Sequence, residues 1–198
     1  MTKIINYGNY FSSGENEDKK QIVLLHTSRE VKQYLNGLKY RFNGKYDKIP
    51  NYVIDKEGKI LELLEPKKTS RIFNNKNVDK NIITISLENL GWLYKEPLQK
   101  GYINWIGNIY KGKVYERKWR DYVYWDIYTP EQTESCFELC IKLVNEFNID
   151  KKFVGHNTKI NGIEKFNGIV SRSNYFSETT DLNPSFNFEE FLKKIEDE

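Results

Sequence analysis

The 198-residue chain holds two cysteines, two histidines, one methionine and five prolines, and each scarcity excludes something. Cys136 and Cys140 stand one helical turn apart in an amphipathic stretch, where a disulfide would strain the helix, so both are expected as buried free thiols. A disulfide-stapled scaffold is thereby excluded. Long hydrophobic runs are absent too: stretches such as Ile22 to Leu25 are far too short to cross a bilayer, and no membrane insertion is expected. The first twenty residues, MTKIINYGNYFSSGENEDKK, contain no apolar segment of signal-peptide length, which leads us to expect a soluble chain made in the cytoplasm. Nor does charge of one sign dominate. With 31 basic and 28 acidic residues interspersed, the net +3 is too weak a bias to suggest a nucleic-acid partner.

What is present suits a single domain spanning residues 1–198, since 38% hydrophobic content supports a sizeable core at this length. Aromatic residues make up 15%, a supply of rings for flat or sugar-like ligands or for ordinary packing. KQIVLLHT over 20–27 reads as a buried strand ending at a histidine. Ser28 is placed to cap a helix whose apolar positions are Val31, Tyr34, Leu35 and Leu38. Segments 51–54 and 59–64 flank Glu57-Gly58 as a hairpin, and IITISLE over 82–88 is a third strand candidate rich in β-branched residues. Residues 92–128 lack a clean period and are expected as extended loop and short strands. Thr129-Pro130-Glu131-Gln132 then opens a helix to about Asn148, with a capping Thr, Pro at the first position and Gln completing a capping box. A short strand over 152–154 leads to Gly155-His156-Asn157. Residues 157–180 read as a long loop, and Asn187 with Glu190 caps a last helix carrying Phe191, Leu192 and Ile195.

Both histidines, His26 and His156, fall where short apolar strands end, an arrangement compatible with shared metal ligation and equally with two side chains hydrogen-bonded in place. The surrounding words decide more. IVLLHTS, VIDKEGKI, TISLEN, YTPEQ, FVGHN and DLNPSF, in this order over residues 20–192, resemble the zinc-dependent N-acetylmuramoyl-L-alanine amidases of the phage-lysin, cell-wall-recycling and peptidoglycan-recognition superfamily. KWRDYVYWDIYTPEQ and FNGIVSRSNYF look like a phage-borne branch with a long loop before the acidic ligand.

That resemblance implies an α/β fold, a central mixed β-sheet flanked by helices, with a zinc site in a groove at one sheet end. It implies one zinc per chain held by His26, His156 and Asp181, leaving one open tetrahedral position for an activated water. It places Glu88 at the catalytic acid/base position, where a strand-borne carboxyl among Ile85 and Leu87 would have its pKa raised by restricted solvation. The structural alternatives are a turn-capping Asp181 and a Glu88 paired with a neighbouring lysine. The chain also departs from the pattern: Pro50-Asn51 replaces a Tyr-His pair of short phage members, and Thr179 stands where many members carry a lysine. Arg172, within Ser171-Arg172-Ser173-Asn174, is the expected substitute cation for the oxyanion, with a solvated loop arginine as the alternative.

The activity so implied is zinc-dependent hydrolysis of the amide between N-acetylmuramic acid and L-alanine in peptidoglycan, by a phage endolysin or virion-associated lysin. Without a separate wall-binding domain, such an enzyme is expected to act on accessible wall after another factor opens the membrane. Two rivals stand beside it: a peptidoglycan-recognition module without hydrolysis, and an amidase fold reused to regulate a host protein. Oligomeric state, host and stem-peptide type are not read from the sequence.

Overall fold

The computed structural model describes residues 3–4, 14–16, 18–96 and 101–198. A six-stranded mixed sheet forms the centre, built from β1 (Lys3–Ile4), β2 (Gln21–His26), β3 (Tyr52–Ile54), β4 (Ile60–Glu62), β5 (Ile82–Leu87) and β11 (Gly168–Ser171) in the order β1-β4-β3-β5-β2-β11. Strands β3, β5, β2 and β11 run parallel. Such strands are covered on both faces, which explains why β2 and β5 are uninterrupted apolar runs buried at every position.

Period-two alternation divides β2 between two layers. Ile22 and Leu24 face the core formed with helix α3 (Pro130–Glu146) and helix α4 (Phe188–Glu196), where Cys136, Leu139, Cys140, Leu143, Phe191 and Ile195 are buried. Val23 and Leu25 face the opposite layer with Ile163 and Val170. On that side α1 (Val31–Tyr40) packs Val31, Tyr34, Leu35 and Leu38 against Val53 and Leu61. A short helix, α2 (Lys76–Asp79), precedes β5. Both cysteines are free and buried, as expected.

Several local expectations hold. β3 and β4 form the antiparallel hairpin, with Gly58 at φ +78°, where an added Cβ would come within 2.6 Å of the Glu131 carbonyl at the start of α3. Thr129 caps α3 through the Gln132 N–H, and Asn187 caps α4 through the Glu190 N–H. Gln132 itself, however, makes no capping box. Its fully buried amide donates to the carbonyls of Ile54 and Glu88 at 2.9 and 3.0 Å, fastening the helix start to the ends of β3 and β5. Ser28 is likewise no cap: it has φ 56°, and the helix begins after Glu30 with no side-chain cap from that residue. The Val31 N–H is accepted instead by Glu88 Oε1 at 3.2 Å.

Two segments hold more strand than expected: 92–128, expected as extended loop and short strands, and 157–180, expected as a long loop. Residues within 92–128 form a second, antiparallel sheet of β6 (Trp92–Glu96), β7 (Gly101–Asn104), β8 (Ile109–Tyr110), β9 (Val114–Trp119) and β10 (Tyr122–Asp126), ordered β8-β7-β6-β10-β9. Much of it is exposed, so no single-face apolar alternation marks it. Cross-strand rings hold the register instead, with Trp92 stacked on Tyr122 at 4.6 Å and Trp119 tilted against Trp125 at 5.4 Å. Within 157–180, Gly168–Ser171 is β11, buried along its whole length beside β2. A four-residue strand between polar flanks carries too little pattern to declare itself. Conversely, the strand expected at 152–154 is a single parallel bridge, Phe153 to Ile169.

Replacing Gln132 by Leu keeps the volume but removes both bonds; the Ile54 carbonyl still accepts the Glu88 N–H at 2.8 Å while the Glu88 carbonyl loses this donor, so unfolding free energy should fall by about 1–2 kcal/mol, read from the urea midpoint. Lys19, fully buried at the entry to β2, donates to the carbonyls of Lys80 and Lys68, and burial pulls its pKa down to about 8 against the pull of Asp79. The unfolded chain keeps this proton up to about pH 10.5, so stability should rise between pH 8 and 10.5. The rise should vanish in Lys19→Met, as urea titrations across that range would show.

Candidate functional site

Because β2, β3, β5 and β11 are parallel, their carboxyl ends share one edge of the sheet, with His26 level with Leu87 and Leu87 level with Ile54. Ligands of open α/β sheets bind outside this edge. His26 closes β2, Lys56 lies two residues beyond β3, Glu88 follows β5 and Arg172 follows β11.

Three of the five expected site residues meet there. Asp181 is fully buried, and its Oδ1 accepts the His26 backbone N–H at 2.6 Å and lies 3.1 Å from His26 Nε2. Its Oδ2 takes a two-pronged ion pair from Arg172, through Nε at 2.6 Å and Nη2 at 2.5 Å. The His26 ring is buried, with Nδ1 3.3 Å from the Asn89 carbonyl. Gly91 lies against it: a Cβ there would come within 2.8 Å of His26 Cε1. Burial lowers the His26 pKa; Asp181 opposes that shift and Arg172 adds to it.

Glu88 and His156 stand apart from this cluster. Glu88 lines a neighbouring cavity of about 670 Å³ with Lys56, Tyr110 and Asp126. Its two oxygens accept the N–H groups of Val31 and Lys56, both at 3.2 Å. Burial raises its pKa, as anticipated for a proton-transfer group, while the two N–H donors pull it back. His156 is exposed on a third cavity of about 800 Å³ beside Trp119 and Ser185, its Nδ1 accepting the Thr158 N–H at 3.2 Å. Thr179 faces neither histidine among its hydrogen bonds; its hydroxyl donates to the Phe176 carbonyl.

Zinc is the metal the resemblance implies, and the donor set as arranged does not fit it. His26 and Asp181 are adjacent, but a guanidinium already neutralises the carboxylate and the second histidine lines another cavity. Among the described residues no group of three His, Cys, Asp or Glu side chains converges to hold a metal.

A second polar cluster escaped the sequence reading. Asp126, buried at the end of β10, accepts from the Leu90 N–H at 2.7 Å, the Tyr110 hydroxyl at 2.7 Å and Lys56 Nζ at 3.0 Å. Its backbone carbonyl accepts from Asn89, Asn183 and Ser185. Lys56 sits in the hairpin word Asp-Lys-Glu-Gly, where it read only as a turn residue. Asn51, one of the noted departures, is likewise structural: it exchanges hydrogen bonds with Thr84 and donates to the Glu65 carbonyl.

Breaking the Arg172–Asp181 pair should leave a fully buried carboxylate without its cation. Arg172→Gln is expected to lower unfolding free energy by about 3 kcal/mol. Arg172→Lys should recover part of this, having the charge without the fork. An unchanged urea midpoint in Arg172→Gln would show that the pair contributes nothing to the fold.

A family model described as N-acetylmuramoyl-L-alanine amidase matches residues 15–173, a stretch that contains His26, Glu88, His156 and Arg172 and stops before Asp181. Among solved structures, the fold is similar to the N-acetylmuramoyl-L-alanine amidase LysC from Clostridium intestinale URNW, at 15% identity and TM-score 0.58, over 99% of this chain and 97% of that one. The endolysin amidase LysCS from the same organism aligns at 16% identity and TM-score 0.58, over 99% and 95%. AmiD from E. coli, in complex with the substrate anhydro-N-acetylmuramic acid-L-Ala-D-gamma-Glu-L-Lys, aligns at 12% identity and TM-score 0.55, over 91% of this chain and 58% of that one. At these identities the likeness is one of fold. No curated protein matches the sequence.

Proposed function

Because the chain belongs to the N-acetylmuramoyl-L-alanine amidase family, we propose that it acts on peptidoglycan, cleaving the amide between N-acetylmuramic acid and L-alanine as a phage cell-wall lysin. The family match over residues 15–173 carries this reading. It is supported by the place of His26, Arg172 and Glu88 along the ligand-binding edge of the parallel strands. The muramoyl peptide bound to AmiD represents the substrate class. Such a lysin would reach the wall after the membrane is opened, or on the virion.

In this reading Arg172, whose side chain is 30% exposed, offers its remaining N–H groups to the oxygen of the scissile carbonyl as charge develops there. Water attacks the carbonyl carbon; Glu88, with its pKa raised by burial, takes a proton from that water and returns it to the departing amine of L-alanine as the C–N bond breaks. One observation favours a second reading, recognition of peptidoglycan without hydrolysis. The Arg172–Asp181 pair and the separate cavity of His156 leave the three expected zinc donors unassembled.

A soluble muramoyl peptide separates the two. Hydrolysis predicts new L-alanine amino termini and slowing of roughly 10²- to 10⁴-fold in a folded Glu88→Gln variant; loss of turnover in chelator would require His26, His156 and Asp181 to reassemble from the arrangement described above. Saturable binding with no new amino termini, with or without added zinc, would establish the recognition module and remove the enzyme.

A further inference from the structure

The cavity that His26 and Arg172 border, about 620 Å³, is walled by cations and rings. Arg29, Arg41, Lys48 and Arg172 line it, and no Asp or Glu does. Arg172 is neutralised from below by Asp181, but among the described residues no carboxylate lies within ion-pair distance of Arg29, Arg41 or Lys48. Neighbouring acids are committed elsewhere. Asp47 pairs with Arg71 at 2.7 Å, Glu30 lines the adjoining cavity, and Asp79, whose pull reaches Lys48, accepts the Phe73 and Asn75 N–H groups.

Aromatic faces support two of the three free cations. The Arg29 guanidinium lies over Trp105 at 4.7 Å, and Trp105 Nε1 donates to the Ser28 carbonyl at 2.7 Å. The Arg41 guanidinium lies over Tyr46 at 4.8 Å. A guanidinium stacked on a ring keeps its in-plane N–H fork turned outward, ready for a carboxylate. Three like charges around one cavity repel one another, and a ligand bringing two or more negative charges relieves that repulsion.

Spacing sets the ligand's length. Arg29 precedes α1 and Arg41 follows it, and ten helical residues rise roughly 15 Å. An extended peptide of about four residues spans that distance at roughly 3.3–3.6 Å each. We propose that this cavity is the stem-peptide site, and that Arg29, Arg41 and Lys48 select stems carrying free carboxylates over stems in which those carboxylates are amidated. This rests on the peptidoglycan reading above, with the scissile amide at the His26 and Arg172 end.

Calorimetric titration of the full chain tests it with two probes: muramoyl-L-Ala-D-γ-Glu-L-Lys, and the same compound with both free carboxylates amidated. The free acid should bind more tightly by about tenfold per carboxylate, and the preference should shrink as salt rises. The double variant Arg41→Gln/Lys48→Gln should lose about tenfold or more for the free acid and little for the diamide. Both side chains stand clear of the core, and an unchanged thermal midpoint would confirm the fold. Equal affinity of wild type for the two probes, proportionate loss of both in the double variant, or no binding of either would overturn the proposal. Failure of the catalytic reading looks different: the free acid is still preferred, but no L-alanine amino terminus appears.

Discussion

The carboxylate of Asp181 is the constraint on which the carboxyl edge of the sheet depends. Fully buried, it accepts the His26 N–H at the end of β2 and both prongs of Arg172 just past β11, while its own carbonyl accepts the Ser173 N–H. The ends of β2 and β11 are thereby tied to one residue. A carboxylate without water is costly unless it is paired and hydrogen-bonded, and here it is both. Its satisfaction also sets the local chemistry: the guanidinium occupies the electrostatic position that a metal ion would otherwise take.

Asp126 has the corresponding role between the two sheets. Its carboxylate takes Lys56 from the β3–β4 hairpin and Tyr110 from β8, and its carbonyl takes Asn89, Asn183 and Ser185. The second sheet is thus fastened across the ends of β3 and β5, and the Glu88 cavity lies at that junction. Separate attachment points explain why the candidate residues sort into three neighbouring cavities. Each hub draws its own side chains inward, and the His156 ring, bonded to neither, stays exposed.

Much of the fold was legible because it obeys local rules. β2, β5, the β3–β4 hairpin, α3 and α4 follow from apolar runs, a turn glycine and capping residues that act within a few positions. Where two partners compete for one side chain, local reading failed. Gln132 has the spacing of a capping box, yet its amide fastens α3 to the sheet; Ser28 has the character of a cap, yet Glu88, 57 positions beyond Val31, accepts that N–H. The aromatic sheet within 92–128 was obscured by its exposure, since rings and charges alternate there without one buried face.

From the sequence alone come the α/β class, the strand-end position of His26 and the membership words that point to peptidoglycan, because each is encoded in contiguous residues. The resemblance also singled out Arg172 as a candidate cation, since Thr179 stands in a lysine's place. Tertiary structure alone decided what that cation does and which candidates meet. Charge makes no distinction in a sequence between a carboxylate that awaits a metal and one that an arginine nine residues away already holds. That choice depends on distances of 2.5–3.1 Å, which exist only once β2, β11 and the segment around Asp181 have packed together.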